Sequence, residues 1–242
     1  NSLLEVLYED CWDEEIGRFR AKVALRGLSD ASYPLETTLM RLGGNYAALE
    51  RHLLRNFRKY AHRSVVERDS PWHWLSVARH YDLPTRLLDW TNSPFVAMHF
   101  ATANLDKFDT DGVIWMVDYV EAHKLLPGPV RELLEREGAN IFTVDMLSRA
   151  HKLERHEHLS PLELHTLSAE PFVLFFEPSS IDDRIVNQYA FFSVQSDPQQ
   201  TLDSWLDAHP HLWRRIVIPA ELKWEIRDKL DQANITERVL FP

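Results

Sequence analysis

Between His80 and Thr91 the chain carries His80, Thr85, Arg86, Asp89, Trp90 and Thr91. A histidine and a carboxylate at this range could share acid–base work or hold a catalytic metal. Arg86 and Asp89, three residues apart, could instead form an ion pair that fixes a loop. Asp89, followed by Thr91, Ser93 and Pro94, also reads as a helix cap with no catalytic content. A second feature is Arg26-Gly27 at the end of a charged and apolar alternation. Arginine offers a planar fork of donors suited to phosphate, and a glycine beside it would let a ligand approach the backbone. The third is Arg184-Ile185-Val186-Asn187-Gln188, just ahead of an apolar stretch. By residue type alone, Arg26 and Gln188 read first as surface positions.

Four histidines, His151, His156, His158 and His165, lie close together. Their spacing fits neither a paired i, i+4 helix site nor a zinc-finger pattern, so no metal is expected. The chain contains no phosphate-binding glycine loop, no nucleophile elbow and no dinucleotide fingerprint.

Several elements must position these groups. Arg20 to Arg26 alternates charged and apolar residues and reads as a strand that Gly27 ends. Tyr46 to His62 reads as a long helix with Leu49, Leu53, Leu54 and Phe57 on one face. Ser70-Pro71 supplies a capping hydroxyl and a first-turn proline, and that helix must stop near His80 because Pro84 cannot sit inside it. The segment from His80 to Thr91 reads as a polar loop, and Asn92-Ser93-Pro94 opens a helix over 95–103. Apolar runs near Gly112–Val117, Phe172–Phe176, Tyr189–Val194 and Arg214–Ile218 read as strands. Leu3 to Leu7, Thr201 to Ala208 and Ala220 to Ala233 read as helices, and Leu240-Phe241 as a last short strand. Strands mixed with helices point to an α+β domain with a mixed sheet and flanking helices. The whole of 1–242 reads as one domain, with residues 124–168, charged and broken by prolines, as a helical insertion.

With 242 residues, 45% hydrophobic, the chain is long enough for a substantial core. Cys11 is the only cysteine, so no internal disulfide can form and a reducing, cytoplasmic setting is expected. No apolar run approaches the ~18 residues of a membrane span, so no membrane partner is expected. The net charge of −10 disfavours general nucleic-acid binding. Arg51, Arg55, Arg58, Lys59, Arg63 and Arg68 crowd one stretch, which reads as a solvated helix face.

Taken in order, these pieces resemble the FRG domain. The Phe-Arg-Gly strand end of that family stands here as Leu25-Arg26-Gly27. Its longest motif stands as His80-Tyr81-Asp82-Leu83-Pro84-Thr85-Arg86-Leu87-Leu88-Asp89-Trp90-Thr91, departing only at Asp82, a position that calls for a positive φ. The Arg-Ile-x-x-Gln-x-Gly-x-Phe motif resembles Arg184 to Phe192, with Ala190 for Gly, and Ile235 to Pro242 resembles the family's Phe-Pro ending. The resemblance spans nearly the whole chain. The family is found in bacteria and their phages, often in defence or toxin-like settings.

A more distant similarity is to ADP-ribosyltransferases, which carry an Arg-Gly strand end, a Ser-Thr-Ser strand leading into Ala-x-x-Phe-Ala, and a Glu-containing strand. Asp89-Trp90-Thr91 leading into Ala97 to Ala101, and Asn187-Gln188, resemble the second and third. This resemblance implies an ADP-ribosyltransferase-like fold and an effector that takes NAD or a related nucleotide as substrate and modifies a protein or nucleic-acid acceptor. It puts Gln188 in the place of the catalytic Glu and gives ligand contacts to Arg26, Gly27 and Thr91; the His80–Thr91 segment adds Asp89 and His80 as catalytic candidates and Thr85 and Arg86 as ligand contacts. Gln188 can supply the hydrogen bond of the family's Glu but not its charge; Asp89 or Glu177 would have to supply that. Without the charge, the chain would be a ligand-sensing or partner-binding module. A nuclease using His80 and Asp89 is the third reading.

Overall fold

The computed structural model describes residues 3–14, 16–20, 22–61, 69–153, 156–179 and 183–242. Among them, seven strands form one mixed sheet: β1 (Val23–Leu28), β2 (Leu87–Thr91), β3 (Gly112–Asp118), β4 (Phe142–Thr143), β5 (Val173–Glu177), β6 (Ala190–Gln195) and β7 (Trp213–Ile218). The spatial order is β7-β3-β1-β2-β6-β5-β4. All neighbours are antiparallel except the edge pair β4–β5. The fold is therefore α+β, with helices on both sheet faces.

The sheet joins two well-laddered halves. Six residue pairs link β1 to β3, and five link β2 to β6. Between β1 and β2, the described register is Leu25 opposite Thr91 alone. The gap that opens beyond this pair is the base of the cleft described below.

The segment from His80 to Thr91 is not a loop throughout. Its second half is the central strand β2, whose alternation sends Leu88 and Trp90 to one face and Leu87, Asp89 and Thr91 to the other. Leu87 packs with Trp72, Phe176 and Phe192, while Leu88 and Trp90 pack with Phe175 and Phe191. The polar Asp89 and Thr91 disguise this strand, because they face the cleft rather than a second apolar layer.

Two helices run into and out of this strand. In α1 (Leu3–Tyr8), Leu7 is buried. In α2 (Tyr46–Tyr60), Leu54 is buried and packs on Trp74, while Arg51, Arg55, Arg58 and Lys59 are exposed; Arg63 and Arg68 lie outside the described residues. Helix α3 (Pro71–His80) starts as its sequence requires, with Ser70 accepting from the His73 amide at 3.2 Å and proline in the first turn. Asp82 follows with φ +57°, the left-handed conformation its motif position calls for. Ser93 caps α4 (Pro94–Ala101) in the same way.

Helix α4 packs with unusual closeness on β1. A Cβ on Gly27 would collide with the Ala97 carbonyl and lie 2.6 Å from the Ala101 nitrogen. Gly27 therefore serves helix–sheet contact, and β1 continues through it to Leu28 rather than ending there.

The stretch 124–168 contributes more than helices. After α5 (Tyr119–His123), it holds α6 (Gly128–Arg136), edge strand β4, α7 (Val144–Arg149) and a two-stranded ribbon, His151–Leu153 with His156–His158. Leu133, Phe142, Leu147 and Leu164 from this stretch join the same cluster as Trp72 and Phe176, each such burial worth about 1.5–3 kcal/mol. The side chains of residues 151–158 lie outside the described residues. Helices α8 (Asp183–Asn187), α9 (Leu202–Asp207), α10 (Lys223–Gln232) and α11 (Glu237–Leu240) complete the chain. The expected terminal strand at Leu240-Phe241 is instead the end of α11, because the Leu240 and Phe241 amides bond back to Thr236 and Glu237. No helix among the described residues is long and apolar enough to cross a membrane.

Candidate functional site

A cleft of about 500 Å³ opens where β1 and β2 part. Arg26, Arg41, Arg79 and Arg184 line it, together with Asp89, Thr91, Gln188 and Glu237. Four guanidinium groups therefore meet two carboxylates in a chain whose net charge is −10. Tyr33, Phe100, Asn104 and Ser29 form the rest of the wall that matters chemically.

Asp89 is the pivot of the charged floor. Arg79 grips it at two points, Nε donating to Oδ1 at 3.0 Å and Nη2 to Oδ2 at 2.5 Å. Arg26 donates to the Asp89 carbonyl at 2.5 Å, with the carboxylate 3.7 Å from the same nitrogen. Burial pushes the Asp89 carboxyl up, but the charges of Arg79, Arg26 and Arg184 and the hydrogen bonds from Arg79 outweigh it, leaving Asp89 below its ordinary value. Burial lowers Arg26 from its ordinary value, Asp89 opposing and Arg79 and Arg41 adding to the effect; a guanidinium still stays charged. The Arg26 Nε atom is buried without a hydrogen-bond partner. Arg41 and Arg184 have no carboxylate within ion-pair distance among the described residues, and Arg184 instead lies 4.8 Å over the Phe241 ring.

Thr91 and Gln188 form the opposite corner. The Thr91 hydroxyl donates to the Gln188 carbonyl at 2.7 Å and accepts from the Ser93 amide at 3.0 Å. It has one acceptor position left for a ligand. The Gln188 side-chain amide donates to the Leu240 carbonyl at 2.8 Å, and Asn187 does the same to Val239. These two bonds satisfy carbonyls at the C-terminal end of α11 and so fasten that helix to the cleft wall. Tyr189 between Gln188 and Ala190 has φ +48°, a strained conformation for an aromatic residue.

The structure thus brings together Arg26, Gly27, Asp89, Thr91 and Gln188 in one cleft. It places the other expected site residues elsewhere. Thr85 is buried, its carbonyl accepting from the Leu39 amide. Arg86 is buried and pairs with Glu50 rather than Asp89, with Nε at 2.6 Å and Nη2 at 2.5 Å. It also donates to the Pro161 carbonyl. The expected Arg86–Asp89 pair fails because positions three apart on an extended chain face opposite ways. His80, at the end of α3, meets the Tyr81 ring edge-on and is not among the cleft-lining residues. Phe176 sits opposite Phe192, itself opposite Asp89, so the next residue, Glu177, projects from the other sheet face from Asp89. Among the described residues no group of three His, Cys, Asp or Glu side chains is placed to hold a metal.

The residues to which sequence reading gave no role in the site are Arg41, Arg79, Arg184 and Glu237. Arg79 stood directly ahead of the motif that begins at His80, and Arg184 opened the Arg184–Phe192 run. No local signal marked Arg41 or Glu237, which reach the cleft only through tertiary packing.

Neither a curated protein nor a solved structure matches the chain. Residues 21–110 match the FRG domain family model. That range holds β1, α3, β2 and α4, with Arg26, Gly27, Arg79, Asp89 and Thr91, and stops short of Arg184 to Phe192 and of α11. The chain carries an FRG domain at residues 21–110.

Proposed function

We propose that the cleft binds a phosphate-bearing nucleotide of the NAD type, and that the domain is a nucleotide-handling effector related in architecture to ADP-ribosyltransferases. One observation carries this reading: Arg26, Arg41, Arg79 and Arg184 converge on a single cleft of an otherwise acidic chain. Its volume of about 500 Å³ suits a small-molecule ligand. Arginine forks match phosphate oxygens in geometry as well as charge. Arg26 has a buried donor still unpartnered, while Tyr33 and Phe100 offer aromatic surface for a base.

A second reading, ligand sensing without turnover, is favoured by the state of Gln188 and Asp89. The Gln188 amide is engaged by Leu240, and the Asp89 carboxylate is held by Arg79. Both experiments fit one preparation. Calorimetry with NAD⁺ and ADP-ribose should show binding that Arg26→Ala weakens by about 1.5–3 kcal/mol, the scale of a charge-assisted hydrogen bond. Arg26→Lys should restore only part of it. Release of nicotinamide, followed by chromatography, separates the enzyme from the sensor. Failure of the wild type to bind either ligand would overturn the nucleotide reading.

A further inference from the structure

Glu237 differs from the other carboxylate of the cleft. Asp89 is gripped at two points by Arg79, so its charge is already answered. Glu237 has a 70% exposed side chain and lines the same cleft, and its only ion-pair partner among the described residues is His99. His99 lies on α4 and is fully buried. Its Nε2 is 3.2 Å from Glu237 Oε2, and its Nδ1 is 3.2 Å from Arg227 Nη1.

The tautomer follows from what each partner can do. Arginine only donates, so Nδ1 must accept and carries no proton. The ring proton therefore sits on Nε2 and is donated to Glu237. His99 is held neutral: burial lowers its pKa, Arg227 lowers it further, and Glu237 and a bond to the Ile235 backbone pull the other way without prevailing. A neutral imidazole orients the Glu237 carboxylate without cancelling its charge. The helix that carries Glu237 is fixed independently, by the Asn187 and Gln188 amides on the Val239 and Leu240 carbonyls. Arg227, His99 and Glu237 thus form a positioned carboxylate at a cleft wall whose floor is cationic.

We propose that Glu237 is a specificity residue of the cleft, selecting a ligand that carries a positive charge on the part remote from its phosphates. His99 and Arg227 act as positioning residues. The ligand class is a nucleotide with a cationic heteroaromatic ring, such as the oxidised pyridinium form of a nicotinamide dinucleotide. The reduced form has the same phosphates, riboses and adenine, but its ring is neutral. The phosphates that the arginines hold are the same in both, and Glu237 is the group whose charge favours the cationic ring. This inference rests on the nucleotide reading of the cleft and adds the charge of the ring to it.

The test compares NAD⁺ with NADH by calorimetry at pH 7.5, on wild type, Glu237→Gln and Arg26→Ala. Glutamine keeps an oxygen for the His99 proton and removes only the charge. Wild type is expected to favour NAD⁺ by about fivefold, the scale of a part-exposed charge contact. Glu237→Gln should lose the preference for NAD⁺ without losing NADH binding. Arg26→Ala should weaken both forms and keep their ratio. Equal affinity for the two forms in wild type, or a preference that survives in Glu237→Gln, overturns the role of Glu237 while leaving the nucleotide reading intact. Absence of binding by either form overturns the nucleotide reading, and the assignment of Glu237 falls with it. Melting temperatures of the variants confirm that each is folded.

Discussion

Arg79 closes on Asp89 through two parallel hydrogen bonds, Nε to Oδ1 at 3.0 Å and Nη2 to Oδ2 at 2.5 Å, joining the last turn of α3 to the middle of β2. The pair serves the fold and also sets how much positive charge the cleft presents.

Asp89→Asn should therefore do two things. Because the carboxylate is 38% exposed, its loss should cost only about 1 kcal/mol after solvent screening, or a melting shift of about 2–4 °C for a chain this long. It should also free Arg79 and Arg26, so ADP-ribose should bind more tightly, not less. Since Asp89 is held below its ordinary value, its stabilisation is present above about pH 4 and is lost as the pH falls through the lower folded value. A drop in ADP-ribose affinity in Asp89→Asn would instead show Asp89 contacting the ligand directly.

Arg86 and Glu50 are 6% and 2% exposed and pair with one another inside the fold. Removing one partner leaves a buried charge, so Arg86→Met and Glu50→Gln should each destabilise by about 3–5 kcal/mol in denaturant titrations. The double variant Glu50→Leu with Arg86→Met should recover much of the loss. Single variants of near wild-type stability would contradict the buried-pair assignment. At temperatures where the single variants stay folded, their ligand affinity should match wild type.

Gly27→Ala places a methyl group against the Ala97 carbonyl and the Ala101 amide. The backbone of α4 must shift, which should cost about 1–3 kcal/mol or more. Normal stability with impaired ligand binding would argue that Gly27 matters for ligand approach rather than for packing.

His123 gives a pH signature. Its Nδ1 donates to the Asn140 carbonyl at 2.9 Å, and its Nε2 accepts from the Phe175 amide at 2.9 Å. Burial pushes its pKa down to about 4, against a smaller upward pull from the Asn140 bond. The folded value lies below the unfolded one, so the contribution is fully present above about pH 6.5. It is lost as the pH falls towards 4, in total roughly 3 kcal/mol. Glutamine can serve the same two partners without titrating. Melting curves of His123→Gln should fall less steeply than wild type between pH 6.5 and 4, and parallel curves would assign the slope to other groups.

What could be read in advance was local chemistry. Ser70-Pro71 and Ser93-Pro94 announced two helices, and both caps form. Asp82 announced a left-handed residue. Leu87, Leu88 and Trp90 are buried, but the period-two alternation that marks their strand was hidden by Asp89 and Thr91, whose face is a cleft. Arg86 was assigned to Asp89 by nearness in sequence. Its true partner, Glu50, lies on α2, and no spacing rule links them. Glu237 was invisible for the same reason: it reaches the cleft on a four-residue helix held by Asn187 and Gln188.

The single described register between β1 and β2 has a mechanical consequence. Such a sheet should flex as two slabs about this narrow join, one bearing Arg26 and the other carrying Arg184 just ahead of β6. A hydrogen-bond ladder resists shear between strands, and here it is all but missing at the place where the cleft forms. A ligand whose phosphates span both arginines would act as a strut between the slabs. Its binding would register as rigidity in the whole sheet, and amide exchange near Leu25 and Thr91 would slow without any new strand pairing.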